Sequence, residues 1–98
     1  MNAGEPTAED LAVDALLEEN RQLREALESR ICIEQAKGIL AERLRLNLDE
    51  AFELMRRTSR AERRRVQELA REVVEQPHTP AGILASLQSL LTRKAHAG

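Results

Sequence analysis

Apolar residues recur every three or four positions along most of the chain, which is the spacing of one face of an α-helix. The pattern predicts a first helix over about residues 8–45, a second over 48–58, a third over 60–76 and a fourth over about 80–94. Strand patterns are nearly absent, and Pro and Gly are confined to a few places. The chain is therefore predicted to be all-α.

Polar residues and prolines set the predicted helix boundaries. Three polar residues are each followed, three positions later, by an acidic residue, as in a capping box: Thr7 with Asp10, Asn47 with Glu50, and Ser59 with Glu62. Pro77 ends the third helix, and Pro80 stands at the first position of the fourth. Gly38 interrupts the first helix, and we expect it to let another helix approach closely.

The apolar stripes of these helices can bury one another in a small antiparallel bundle. The predicted architecture is a long N-terminal helix that leads into a three-helix bundle, followed by a fourth helix whose apolar stripe packs on the bundle or across a dimer. It divides the chain into a coiled-coil or dimerisation segment (1–29), a central domain (30–76) and a C-terminal helical extension (77–98).

The first helix carries a short heptad pattern that predicts a parallel homodimer. Its a and d positions are Val13, Leu16, Asn20, Leu23 and Leu27, and a polar Asn at one a position favours two parallel strands. In this register Glu19 and Arg24 can pair between chains. The alternative is an amphipathic helix that packs on its own domain.

Charge is distributed unevenly along a chain whose formal net charge is −2. Residues 1–29 hold eight acidic and two basic groups, whereas residues 37–71 hold ten basic and six acidic groups. Six of the ten residues from Arg56 to Arg65 are arginines, with Glu62 as the one acid among them. Such a local cluster can bind a polyanion, because guanidinium groups are always charged and form forked hydrogen bonds to phosphate.

The sequence gives no indication of enzymatic chemistry or of a cofactor. Cys32 is the single cysteine, and His78 and His96 lie apart from any ligand cluster, so we predict no internal disulfide and no metal site. No nucleophile stands with a base, and no Gly-rich phosphate loop is present. Without an apolar run of about 18 residues, we expect a cytoplasmic protein that does not enter a membrane.

Three consecutive segments resemble the ANTAR domain. Residues 30–40 (RICIEQAKGIL) are similar to its first helix, which carries I-x-x-A-K-G-I-L. Residues 48–57 (LDEAFELMRR) are similar to its second helix, and residues 66–74 (VQELAREVV) to its third. The chain departs from the common pattern at Ala41, Thr58 and Arg63, where Met, Tyr and Asn are frequent. The resemblance suggests a small member that consists of this domain alone.

The resemblance implies an RNA-binding transcription antitermination regulator that recognises paired stem-loops in nascent transcripts, usually as a dimer. Relatives commonly carry a sensor domain before this module. Residues 1–29 have room only for the heptad segment, so either a separate sensor protein or constitutive action would set its activity. A protein-interaction adaptor and a DNA-binding regulator are the alternative functions.

The basic residues of the central domain are the candidate RNA contacts. They are Lys37, Arg56, Arg57, Arg60, Arg63, Arg64 and Arg65. Arg56 and Arg57 lie in the last turn of the second predicted helix. Their positive charges can stabilise the helix dipole there, so a stabilising role is as well supported as a role in RNA binding. The other four arginines lie in the first two turns of the third, where cations are unfavourable, so an anionic ligand is expected there. On that helix Arg60, Arg64 and Arg71 would share one exposed side, with an Arg64–Glu68 pair.

Overall fold

The computed structural model describes residues 4–97, which form four helices. They are α1 (Ala8–Leu44), α2 (Leu48–Glu62), α3 (Val66–Glu75) and α4 (Ala81–Ala97). No strand occurs in this part of the chain, and the predicted all-α class is confirmed. None of the helices found there is long and apolar enough to cross a membrane.

The first half of α1 extends away from the rest of the chain. Thr7 caps it, with Thr7 Oγ1 accepting from the Asp10 amide and Asp10 Oδ2 accepting from the Thr7 amide, each at 3.1 Å. All side chains from residue 8 to residue 28 are exposed, so within one chain this segment does not pack on its own domain. Hydrogen bonds from Arg21 lower the pKa of the Glu18 carboxyl on this surface.

The core lies where the second half of α1 crosses α2 and α3. Nine apolar residues from all four helices are buried there: Ala36, Leu40, Ala51, Leu54, Met55, Leu69, Ala70, Val73 and Ile83. The predicted capping box at the start of α2 is also present, because Asn47 and Glu50 each accept from the backbone amide of the other. The buried core contacts and the capping box hold α2 in place. They therefore also determine the position of the connection that follows α2.

The predicted boundary between the second and third helices was wrong. Ser59 does not begin a third helix but lies inside α2, where it is 5% exposed. The apolar face of α2 continues past Met55 through the buried Thr58 and Ser59, and their burial carries the helix on to Glu62. The backbone then turns at Arg63, which has φ 53°, and Arg65 precedes α3.

The fourth helix packs against α2. Ile83 enters the common core, and the hydroxyls of Thr58 and Ser86 are 2.9 Å apart. Leu84 and Leu91 stay about half exposed, so the apolar stripe predicted for this helix is only partly covered within one chain.

The two glycines within helices have different surroundings. A Cβ added at Gly38 would meet nothing within 4 Å, so the expectation that Gly38 admits another helix is wrong for the single chain. The close approach occurs at Gly82 of α4, where an added Cβ would meet the carboxylate of Glu62 on α2.

Candidate functional site

Arginines from α2 and from the connection to α3 converge around one turn. Ser59, Val66 and Gln67 line an open groove together with five arginines. These arginines are Arg56, Arg60, Arg63, Arg64 and Arg65, and we call this surface the arginine groove. The structure therefore brings together five of the seven basic residues that the sequence proposed as RNA contacts.

The groove owes its shape to a left-handed residue at the end of α2. Arg63 adopts φ 53° and ψ 45°, and its amide donates to the carbonyls of Arg60 and Ser59. The Arg64 amide also donates to the Ser59 carbonyl, at 3.0 Å. This arrangement satisfies the terminal carbonyls of α2 and reverses the chain at once. As a result, the side chains of the connection lie next to those of the last turn of α2.

The predicted cluster of arginines at the start of the third helix was wrong. Arg60 lies in the last turn of α2, where a cation is favourable, and Arg63 is the C-cap of that helix. Arg60, Arg64 and Arg71 do not share one side of a single helix, because only Arg71 belongs to α3. The indication for an anionic ligand is instead that five arginines line one open groove.

Arg56 Nη1 lies 3.6 Å from Oε2 of Glu53, and Arg64 is the second arginine of the groove that is already paired. Its Nη1 lies 2.6 Å from Oε2 of Glu72, and the Glu68 pair that the sequence suggested does not form. Within residues 4–97, Arg60, Arg63 and Arg65 take part in no ion pair. Three of the five guanidinium groups therefore carry charge that no carboxylate of the chain neutralises directly.

Lys37 is connected to the groove through Phe52. Its Nζ lies 5.3 Å from the centroid of the Phe52 ring, and Cζ of Arg56 lies 6.0 Å from the same centroid. Glu34 holds the Lys37 amine at 3.0 Å, and the lysine side chain is 16% exposed. Cation–π contacts of this kind are worth about 0.5–1 kcal/mol at exposed sites. The single aromatic residue thus places a lysine of α1 beside an arginine of the groove.

Arg57 does not line the arginine groove, although it lines a second cavity together with Arg60. It faces the side of α2 that packs against α4, near Leu54, Leu87 and Leu90. Its buried Nε has no hydrogen-bond partner. Neighbouring positions in a helix point about 100° apart, so Arg56 and Arg57 serve different surfaces.

Ser59 lines the groove, although its sequence pattern predicted the N-cap of a third helix. It is 5% exposed, and its buried Oγ has no hydrogen-bond partner. The spacing of Ala51, Met55 and Ser59, each four positions after the last, is the signal that places it on the buried face of α2.

The candidate dimerisation residues lie on the extended half of α1. Val13, Leu16, Leu23 and Leu27 are each more than half exposed, and Asn20 is exposed between them. Apolar side chains at helical spacing are thus left uncovered on a segment that the remainder of the chain does not contact.

Comparison with protein families identifies the family of this chain. The family profile of the ANTAR domain matches residues 21–74, which is more than half of the chain. The match begins at Arg21, within the segment that the sequence assigned to dimerisation. No significant match was found among curated proteins or among solved structures. Among the described residues, no group of three or more His, Cys, Asp or Glu side chains could hold a metal ion.

Proposed function

Because this chain belongs to the ANTAR domain family, whose members are RNA-binding antitermination regulators, we propose that it binds stem-loops in nascent transcripts through the arginine groove. The observation that supports this proposal is the convergence of five arginines around the α2–α3 turn. Lys37 extends the same basic surface on to α1 through its contact with Phe52.

Guanidinium groups would make most of the contacts with RNA. The chain has no Tyr or Trp, and Phe52, its one aromatic residue, is in contact with both Lys37 and Arg56. Bases therefore cannot stack on the usual aromatic side chains. Arginine side chains would take the place of these aromatic side chains. They would form forked hydrogen bonds to phosphate oxygens and would stack their planar guanidinium groups against unpaired loop bases.

Recognition of two stem-loops at once would follow from a parallel homodimer. Val13, Leu16, Asn20, Leu23 and Leu27 would form its seam. In a parallel pair both copies of Lys37 lie at the same end, about 15 Å along the helix axis from Leu27. Both grooves would then face one RNA molecule, and the second hairpin would bind at a high effective concentration.

Binding of this kind would act on transcription by holding the nascent RNA in one fold. A transcript whose two hairpins are bound cannot use the same nucleotides to form a terminator. Control of this step by a separate sensor protein is part of the proposal.

A binding assay with matched arginine variants tests the proposal. RNA with two hairpins, RNA with one hairpin and duplex DNA are titrated by fluorescence anisotropy over a series of salt concentrations. The test variant combines Arg60→Ala, Arg63→Ala and Arg64→Ala. The control combines Arg21→Ala, Arg43→Ala and Arg45→Ala, which removes the same charge outside the groove and off the proposed seam. Arg45, like Arg63, is a left-handed C-cap.

We expect the control to bind two-hairpin RNA nearly as well as the wild type, and the test variant to bind it much more weakly. Each lost phosphate contact should reduce the slope of log K against log salt by up to about 1. Equal RNA binding by the folded test variant would exclude the groove. A preference for duplex DNA would favour the DNA-binding alternative, and no nucleic-acid binding at all would favour the adaptor.

A further inference from the structure

The N-terminus of α3 opens into the arginine groove without a side-chain cap. Arg65 occupies the N-cap position and makes no capping hydrogen bond with its side chain. Among the described residues, the first-turn amides of Val66 and Gln67 have no acceptor, whereas those of Glu68 and Leu69 donate to the Arg65 carbonyl. Free amides at the positive end of a helix dipole favour an anion.

A buried serine lines the same groove as Val66 and Gln67. Ser59 is 5% exposed and lines the same groove, and its Oγ has no hydrogen-bond partner. Thr58, the preceding residue, has its hydroxyl 2.9 Å from both the Leu54 carbonyl and Ser86 Oγ. An unpaired hydroxyl is unfavourable in a buried position, so the Ser59 side chain is suited to an acceptor that comes from outside the chain.

The chemistry of the surrounding groups defines that acceptor. Guanidinium and backbone amide groups only donate hydrogen bonds, so none of them can accept from Ser59. The complementary ligand is an anion that offers acceptor oxygens in several directions. A phosphate group does so from a tetrahedral centre, whereas the two oxygens of a carboxylate lie in one plane with their carbon.

We propose that the base of the arginine groove is a discrete phosphate-binding site. The Ser59 hydroxyl and the amides of Val66 and Gln67 hold one phosphate, and the arginine side chains around them neutralise its charge. If the proposed function holds, the ligand is one phosphodiester of the RNA, and it fixes the position of the stem-loop on the protein. The remaining arginines then contact neighbouring phosphates and loop bases.

Titration of the full chain with inorganic phosphate tests the site without RNA. Amide NMR signals of Val66 and Gln67 are followed at constant ionic strength, with chloride as the balancing anion. We expect saturable shifts in the wild type and in Ser89→Ala, which removes an exposed serine hydroxyl from α4. Ser59→Ala should bind phosphate roughly tenfold more weakly or worse, as for the loss of a hydrogen bond to a charged group. It should not lower the melting temperature, because no hydrogen bond of the free protein is lost.

A second variant tests the backbone donors. Val66→Pro removes an amide that has no acceptor, and proline is tolerated at the first position of a helix. Arg65 already has the extended backbone that precedes proline, with φ −73° and ψ 145°. In a folded Val66→Pro protein the phosphate-dependent shift of Gln67 should weaken. Linear, unsaturated shifts in the wild type, or unchanged binding in both variants, would overturn the site.

RNA binding by the same variants separates this inference from the proposed function. Ser59→Ala should weaken RNA binding by a similar factor while leaving the salt slope unchanged, because the arginines remain. If the wild type bound phosphate through Ser59 but bound no RNA, the site would stand and the proposed function would fall. If RNA and phosphate were both bound equally by wild type and Ser59→Ala, the function would stand and the phosphate site would fall.

Discussion

The guanidinium of Arg64 donates a hydrogen bond of 2.6 Å to the carboxylate of Glu72, which joins the α2–α3 connection to the middle of α3. Both side chains are about one third exposed. The contact restrains a connection that otherwise consists of arginines, and it neutralises one guanidinium of the groove. The Arg64–Glu72 pair therefore has two opposite effects on anion binding. It removes positive charge from the groove, and it orders the surface to which the anion would bind.

Glu72→Gln should strengthen RNA binding and increase its dependence on salt. The change frees the Arg64 charge, which can then meet one more phosphate and steepen the salt slope by up to about 1. Stability should fall by less than about 1 kcal/mol, because the pair is partly solvated. Glu75→Gln, an exposed position of α3 without an ion pair, is the matched control for charge. Weaker RNA binding by Glu72→Gln would show that the carboxylate positions Arg64 for contact.

Arg63→Gly and Arg45→Gly should have the same effect on the stability of the protein but different effects on its affinity for RNA. Both arginines are left-handed C-caps, with φ 53° and 56°. Glycine relieves a backbone penalty of about 1 kcal/mol at such a position, so neither variant should melt at a lower temperature. Only Arg63→Gly should weaken RNA binding, as measured by anisotropy. A loss of equal size in Arg45→Gly would indicate that total charge, and not the groove, determines affinity.

Leu16→Glu combined with Leu23→Glu should convert the chain into a folded monomer. Both leucines are 65% exposed within one chain, so the change leaves the core intact and introduces charge repulsion at the proposed seam. Ala15→Glu with Gln22→Glu adds the same charge off the seam and should remain dimeric. Light scattering after gel filtration measures the mass. An unchanged mass for the leucine variant would refute the proposed zipper.

Ile83→Ala should destabilise the chain by about 2–5 kcal/mol, as expected for the truncation of a fully buried side chain. Leu84→Ala, in the next position and 46% exposed, should cost less than about 1 kcal/mol. Chemical denaturation measures both values. RNA affinity of the folded Ile83→Ala protein should be unchanged, because Ile83 is buried in the core and does not line the groove. Equal costs for the two variants would mean that α4 contributes little to the core.

The features that the sequence predicted correctly depend on neighbours within a few positions. Helical periodicity gave four helices, and the capping boxes at Thr7 and Asn47 join residues only three positions apart. The arginines of the cluster are also close together in the sequence. The residue pattern therefore shows that the cluster exists, but not how its side chains are arranged. These interactions form whatever the rest of the chain does, which is why the residue pattern alone determines them.

Tertiary packing decided the parts that the sequence misplaced. Ser59 is a good N-cap residue by type, but burial of its face of α2 carries that helix past it to Glu62. The same continuation moves Arg60 from the start of one helix to the end of another and makes Arg63 a left-handed C-cap. It also leaves the amides of Val66 and Gln67 open to the groove. Burial depends on contacts between residues that are far apart in the chain. The pattern of neighbouring residues does not predict these contacts.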